Sequence, residues 1–188
     1  MAESILKVTV LPEELAVAMG YAQASVKHTI KKLEFQRSRF SDRERNIIVG
    51  RVARTVVARV LRDADVSARF EEAPATKAKN YCIVTGDGQF IQTRFIGDYP
   101  KHKNLLEDTG SFARRQHDFY VATTSQDNLQ SIEILGYAMR RELEERQPRS
   151  FGQGVLNRYV PLSRLHPFAE LVQVLRLEGA ARQTVLQT

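Results

Sequence analysis

The sequence predicts an α/β fold in which helices flank a central group of strands. Three observations carry this. Apolar residues recur at three- and four-residue steps from Pro12 to about Phe35, and again from Ser41 to about Leu61; that is the period of a helix with one buried face. The period then changes, and two apolar runs, Asn80–Thr85 and Gln89–Phe95, surround Gly86-Asp87-Gly88, a hairpin signal. Two further strand-like runs, Phe119–Thr124 and Ser131–Tyr137, follow around the polar Ser125–Gln130.

Taken in order, Pro12 opens a helix whose stripe is Leu15, Met19, Ala22, Val26, Ile30 and Leu33, opposite Lys27, Lys31 and Lys32. Gly20 interrupts it at a cost of ~1 kcal/mol. This leading helix reads as an N-terminal helical arm over residues 1–40, packing on a second copy of the chain, with one domain over 41–188. Ser41-Asp42-Arg43-Glu44 reads as a capping box: the serine hydroxyl accepts from a free backbone N–H and the glutamate reaches back to the cap. The helix it opens turns Ile48, Val52, Val56 and Val60 inward. Its many β-branched residues mean that packing holds it more than propensity does.

Val66–Phe70 predicts a short strand, and Glu71–Lys79, with Pro74, a loop. Gly97–Gly110 reads as a loop with one helical turn, and Ala138–Glu145 as a short helix. Gln147–Asn157 reads as a loop, and Arg158–Pro161 as an edge strand because Pro161 donates no backbone bond. A last helix is expected over Pro167–Leu177, capped by Ser163, with a frayed tail after Gly179.

The chain has 188 residues, 43% hydrophobic and 27% charged, enough for one domain with a real core. No apolar run is long enough to span a bilayer, and the first residues lack a basic-then-apolar signal pattern. The single cysteine, Cys82, excludes an internal disulfide and a cysteine-rich zinc site, which fits a reducing cytoplasm. Formal net charge is +6, and residues 21–62 alone hold eleven Lys/Arg against three acids. A basic segment of that density suits a polyanion such as nucleic acid.

The ordered set of short motifs resembles a known superfamily. Arg45-Asn46-Ile47-Ile48-Val49-Gly50 opens a helix, followed by Tyr81-Cys82-Ile83-Val84 and Phe90-Ile91-Gln92-Thr93-Arg94 on a hairpin. Then come His117-Asp118-Phe119-Tyr120-Val121-Ala122, Ile132–Tyr137 and Asn157–Leu165. Over about residues 44–175 this succession resembles the PD-(D/E)XK, or restriction-endonuclease-like, superfamily. The resemblance implies a central mixed β-sheet flanked by helices, with a helix acid, a strand aspartate and a Glu-x-Lys converging on Mg²⁺. Carboxylates hold that ion, and the ion activates water and neutralises phosphate charge.

At those positions the sequence has Arg54, Cys82, and Gln92-Thr93-Arg94. Every expected acid is missing, and arginine is a poor proton acceptor. The expectation is therefore a DNA-binding protein that has lost cleavage, with no catalytic residue, metal or cofactor. Arg54 and Arg94 would take phosphate directly through forked hydrogen bonds, unless Arg94 pairs with Asp98 or another acid. Lys101, Lys103, Arg114 and Arg115, with His102 and His117, would line the cleft as sequence-independent phosphate contacts. Two alternatives remain open. One is an active Mg²⁺-dependent deoxyribonuclease with ligands displaced to Asp87, Glu71 or Glu72. The other is a protein-interaction subunit of a nuclease or defence complex, with a nuclease or helicase as its partner. The four histidines lack metal-ligand spacing, and His117 and Asp118 face opposite sides of a strand.

Overall fold

The computed structural model describes residues 5–30, 40–70, 82–97, 99–151 and 154–185, with side chains omitted at 25–30, 40–44 and 180–185. The elements are β1 (Leu6–Thr9), α1 (Pro12–Ile30), α2 (Phe40–Asp63), β2 (Ala68–Phe70), β3 (Ile83–Thr85), β4 (Phe90–Phe95), β5 (Asn104–Asp108), α3 (Thr109–Arg114), β6 (Phe119–Thr124), β7 (Ser131–Met139), α4 (Arg140–Glu144), β8 (Arg149–Ser150), β9 (Leu156–Pro161), a 3₁₀ turn (Leu162–Arg164) and α5 (Phe168–Val185). Six strands form one sheet in the order β1-β7-β6-β4-β3-β2, and three form a second, β5-β9-β8. Only β4 and β6 run parallel; the other pairs of the large sheet are antiparallel. The fold is thus α/β with a mixed sheet and flanking helices.

Period-two alternation gives the large sheet two apolar faces. Ile83, Ile91, Val121, Ile132 and Ile134 point to one side and pack with Val52, Val56 and Leu61 of α2 and with Phe168, Leu171 and Leu175 of α5. Tyr120, Ala122, Leu135 and Ala138 point to the other, where Leu105 and Val160 of the small sheet, Phe112 of α3 and Leu143 of α4 cover them. The six-stranded sheet is therefore the middle layer between helices and a small sheet.

One irregularity keeps both faces apolar. The β6–β7 register shifts between Ala122 and Thr123, making Leu135 the extra residue of a bulge. Without the bulge, Tyr137 would fall on the wrong side. Gly136 sits there at φ 140°, and a Cβ on it would lie 2.6 Å from the carbonyl oxygen of His166. The close approach is used: Tyr137 and His166 exchange backbone hydrogen bonds of 2.9 and 2.8 Å, tying the start of α5 to β7.

Several expectations need correction. Residues 5–24 are not a free arm. β1 pairs with β7, and Ala18 and Ala22 of α1 are fully buried where α1 packs on α2. Met19, assigned to the stripe, is exposed. Glu14 of α1 accepts from Arg59 of α2 at 2.9 Å and caps the Leu11 amide at 2.9 Å. The stripe that argued for a second copy has its partner within the chain as far as Ala22; the side chains of Val26, Ile30 and Leu33 lie outside the described set, as do those of Ser41 and Glu44 and the loop 71–79.

The supposed loop 97–110 contains β5 and the start of α3. β5 was hidden because its alternation places Glu107, an acid, on the buried side next to Leu105. β9 is the central strand of the small sheet rather than an edge, because only its last residue is the proline. Ala138 remains in β7, and Arg149–Ser150 pairs as β8. Ser163 lies in the 3₁₀ turn, five residues before α5 begins, and so is not at its cap position. α5 runs through Gly179 to Val185, since a lone glycine weakens a helix by only ~1 kcal/mol and no proline follows to end it.

Candidate functional site

The hairpin β3–β4 sets out the site. Ile83 is opposite Ile91, so Cys82, one residue earlier, falls beside Gln92 in register. β4 then runs parallel to β6 with Gln92 opposite Tyr120 and Arg94 opposite Ala122. Gln92, Arg94 and Tyr120 share the sheet face that looks toward the small sheet. The buried residues there include Gln92 at 2%, Cys82 at 3% and His117 at 4% exposure. The positions singled out on β3 and β4 are therefore neighbours.

Arginines crowd this end of the sheet. Burial pushes the Arg54 guanidinium down to about 10, helped by the positive charges of Arg94, then Arg51 and Arg115. Arg51, 6% exposed, lies on the Tyr21 ring at 4.1 Å. His117 is held near 4, first by burial and then by Arg115, Arg94, Arg140 and Arg54, so it is neutral at pH 7. It meets the Tyr120 ring edge-on at 5.7 Å. Burial, and then the charge of Glu107, raise the Tyr120 phenol.

Glu107 is the residue that sequence reasoning missed. Its side chain is 0% exposed, and one carboxylate oxygen accepts from both Nε and Nη2 of Arg94. Glu107 of β5 is thus an acid that competes with a phosphate for Arg94; Asp98, the acid named from the sequence, lies outside the described residues. Two signals pointed to it: an acid alternating with Leu105 in a five-residue run, and an arginine on a buried strand face, which requires a counter-charge.

Five buried polar atoms here have no hydrogen-bond partner among the described residues: Gln92 Oε1, Thr93 Oγ1, Glu107 Oε1, His117 Nδ1 and the Tyr120 hydroxyl. Each such group costs ~1–3 kcal/mol. A concentration of them marks a place where stability has yielded to something else.

Beside this cluster lies a groove of ≈ 1010 Å³, lined by Arg45, Asn46, Val49, Gly50 and Arg54 of α2, Thr93, Arg94 and Phe95 of β4, then Gly97, Tyr99 and His102, and Ser125, Gln126, Asn128 and Leu129 of the β6–β7 loop. Among these described residues there are three arginines and no carboxylate. Asp127 of the same loop is turned to other work: its carboxylate accepts from the Ser131 hydroxyl and amide and the Ser125 hydroxyl, which holds its pKa far below the usual range.

The remaining predicted contacts are dispersed. Lys101, Lys103 and Arg114 are exposed, and only Arg115 joins the arginine cluster. Asp87 accepts from the Thr85 hydroxyl within the hairpin turn, the work of a turn residue. Asp118 is exposed and accepts from the Phe90 amide at 2.8 Å, while His117 faces inward. His166 meets Glu142 at 3.1 Å. Glu71 and Glu72 lie outside the described residues. No group of three or more His, Cys, Asp and Glu among the described residues is arranged to hold a metal, and no described helix is long and apolar enough to cross a membrane. No protein-family model matches the chain, and comparison with curated proteins and with solved structures returns no match.

Proposed function

We propose that this chain is a DNA-binding protein of restriction-endonuclease-like architecture in which direct arginine–phosphate contacts have replaced metal-dependent cleavage. The observation that carries the reading is the groove between α2 and β4, with Arg45, Arg54 and Arg94 on its wall and no described carboxylate. Arg45 and Arg54 from α2 and Arg94 from β4 give the lining guanidiniums, a group suited to phosphate oxygens, with the Arg94 fork already shared with Glu107. The amides of Asn46, Gln126 and Asn128 in the same lining are neutral donors for the sugar–phosphate backbone.

The Mg²⁺ that the resemblance implies does not fit these residues. A hard divalent cation requires carboxylate oxygens. The one buried carboxylate at hand, Glu107, is bound by Arg94, and Arg54 already feels repulsion from three other arginines. A further double positive charge is opposed there, whereas an anion relieves the repulsion.

The test is fluorescence anisotropy of labelled duplex DNA titrated between about 50 and 200 mM salt, with a parallel cleavage assay in Mg²⁺ and Mn²⁺. Binding is expected to weaken steeply with salt. Arg45→Ala, at an exposed groove position, is expected to reduce the salt slope by about one without sequence dependence. Absence of salt-sensitive binding, or metal-dependent cutting by the purified protein, overturns the proposal.

A further inference from the structure

The β8–β9 hairpin is a second surface with its own chemistry. Residues 146–164 contain four arginines and no acid. Inside that stretch Phe151, Val155 and Leu156 are exposed at 43, 43 and 53%. β9 alternates: Val160 is buried in the core under the large sheet, so Tyr159 lies on the opposite, outer face of the small sheet. There Phe151 meets Tyr159 edge-on, ring centroids 5.2 Å apart. The guanidiniums of Arg146 and Arg149 sit 5.6 and 5.7 Å from the same tyrosine ring.

An exposed phenylalanine beside a tyrosine, flanked by two arginines, satisfies two demands at once. The rings offer a flat π-face, and the arginines supply charge for a backbone that follows the rings. That combination fits unpaired nucleobases, because every base has a π-face and each is followed by a phosphate. Of the neighbouring acids, Glu145 is exposed beside Arg146 and the others are engaged or buried. Glu144 is paired with Arg140 at 2.7 Å, Asp108 caps the Ser111 amide at 2.7 Å, and Glu107 is buried. Arg158 is not part of the surface: it faces inward and donates to the carbonyls of Leu143, Glu144 and Arg146, holding the end of α4 under the hairpin.

We infer that this hairpin is a stacking platform for unpaired bases of DNA, with Phe151 receiving the base and Arg146 and Arg149 its flanking phosphates. The inference rests on the reading that the chain binds DNA, and adds that the preferred DNA carries a single-stranded segment next to its duplex.

The experiment compares a blunt duplex, the same duplex with a single-stranded tail carrying 2-aminopurine, the tail alone, and vesicles of anionic and zwitterionic phospholipid. Wild type, Phe151→Ala and Arg149→Ala are titrated against each, after thermal melts confirm that the variants fold. Wild type is expected to bind the tailed duplex more tightly than the blunt one and to change 2-aminopurine fluorescence. Phe151→Ala is expected to lose about 5- to 150-fold on the tailed duplex, the range for one stacked base, with blunt-duplex binding unchanged. Equal binding of blunt and tailed duplex by wild type, unaltered in Phe151→Ala, overturns the stacking inference and leaves the groove reading standing. Failure to bind any DNA overturns both. Vesicle binding that Phe151→Ala abolishes, without a tail preference, assigns the hairpin to a lipid surface and overturns the inference.

Discussion

Removing Arg94 tests how the buried pair couples stability to binding. Arg94 is the only cation that hydrogen-bonds Glu107 among the described residues, through both Nε and Nη2, and the glutamate side chain is 0% exposed. Arg94→Met keeps most of the volume and leaves a carboxylate buried without its counter-charge. Breaking such a pair from one side costs ~3–5 kcal/mol. For a domain of this size each kcal/mol shifts Tm by ~2–4 °C, so Tm is expected to fall by roughly 6–20 °C. Glu107→Gln removes the charge but keeps an oxygen toward Arg94, so the expected loss is smaller, ~1–2 kcal/mol. It also frees the Arg94 fork, and duplex affinity is expected to rise severalfold while stability falls. Urea denaturation gives the first quantity, and the anisotropy titration the second. The double variant Arg94→Met/Glu107→Leu removes both charges and should recover most of the stability lost by Arg94→Met alone. Wild-type stability in Arg94→Met refutes the buried-pair argument. Weaker DNA binding by Glu107→Gln refutes the idea that Glu107 and phosphate compete for Arg94.

Two further outcomes follow from buried positions. His117 has a folded pKa of about 4 against an ordinary 6.5, so between those values the unfolded chain binds the extra proton. Stability from this group is fully present above about pH 6.5 and declines as pH falls toward 4. The shift sets an upper bound of about 3 kcal/mol at ~1.36 per pH unit. Denaturation curves at several pH values should show this decline, and His117→Phe should flatten it; an unchanged slope counts against the assignment. Gly136→Ala places a Cβ 2.6 Å from the His166 carbonyl oxygen at φ 140°. A loss of at least about 2 kcal/mol is expected, read as a lower urea midpoint, and a neutral result would mean that the bulge can relax.

Local pattern determined a good part of this protein. The four-residue spacing of Ile48, Val52, Val56 and Val60 specifies α2, and Gly86-Asp87-Gly88 specifies the β3–β4 hairpin. Strand alternation puts Gln92 and Arg94 on one face whatever the sheet around them. The basic character of the first half is legible by counting. These features depend on residues close in the chain, where helix period, strand period and turn chemistry act directly.

Only the tertiary structure decided the rest, because it depends on groups far apart in sequence. β1 is four residues long and has meaning as a strand only once β7, more than a hundred residues later, offers its edge. The supposed arm became part of the core because Glu14 and Arg59, 45 positions apart, meet across α1 and α2. β5 read as a loop because Glu107 occupies a core position, which is tolerable only with Arg94 folded onto it. The arginines that make the groove cationic were visible singly, but their mutual repulsion arises from distance, and distance is fixed only when α2, β4 and β5 pack together.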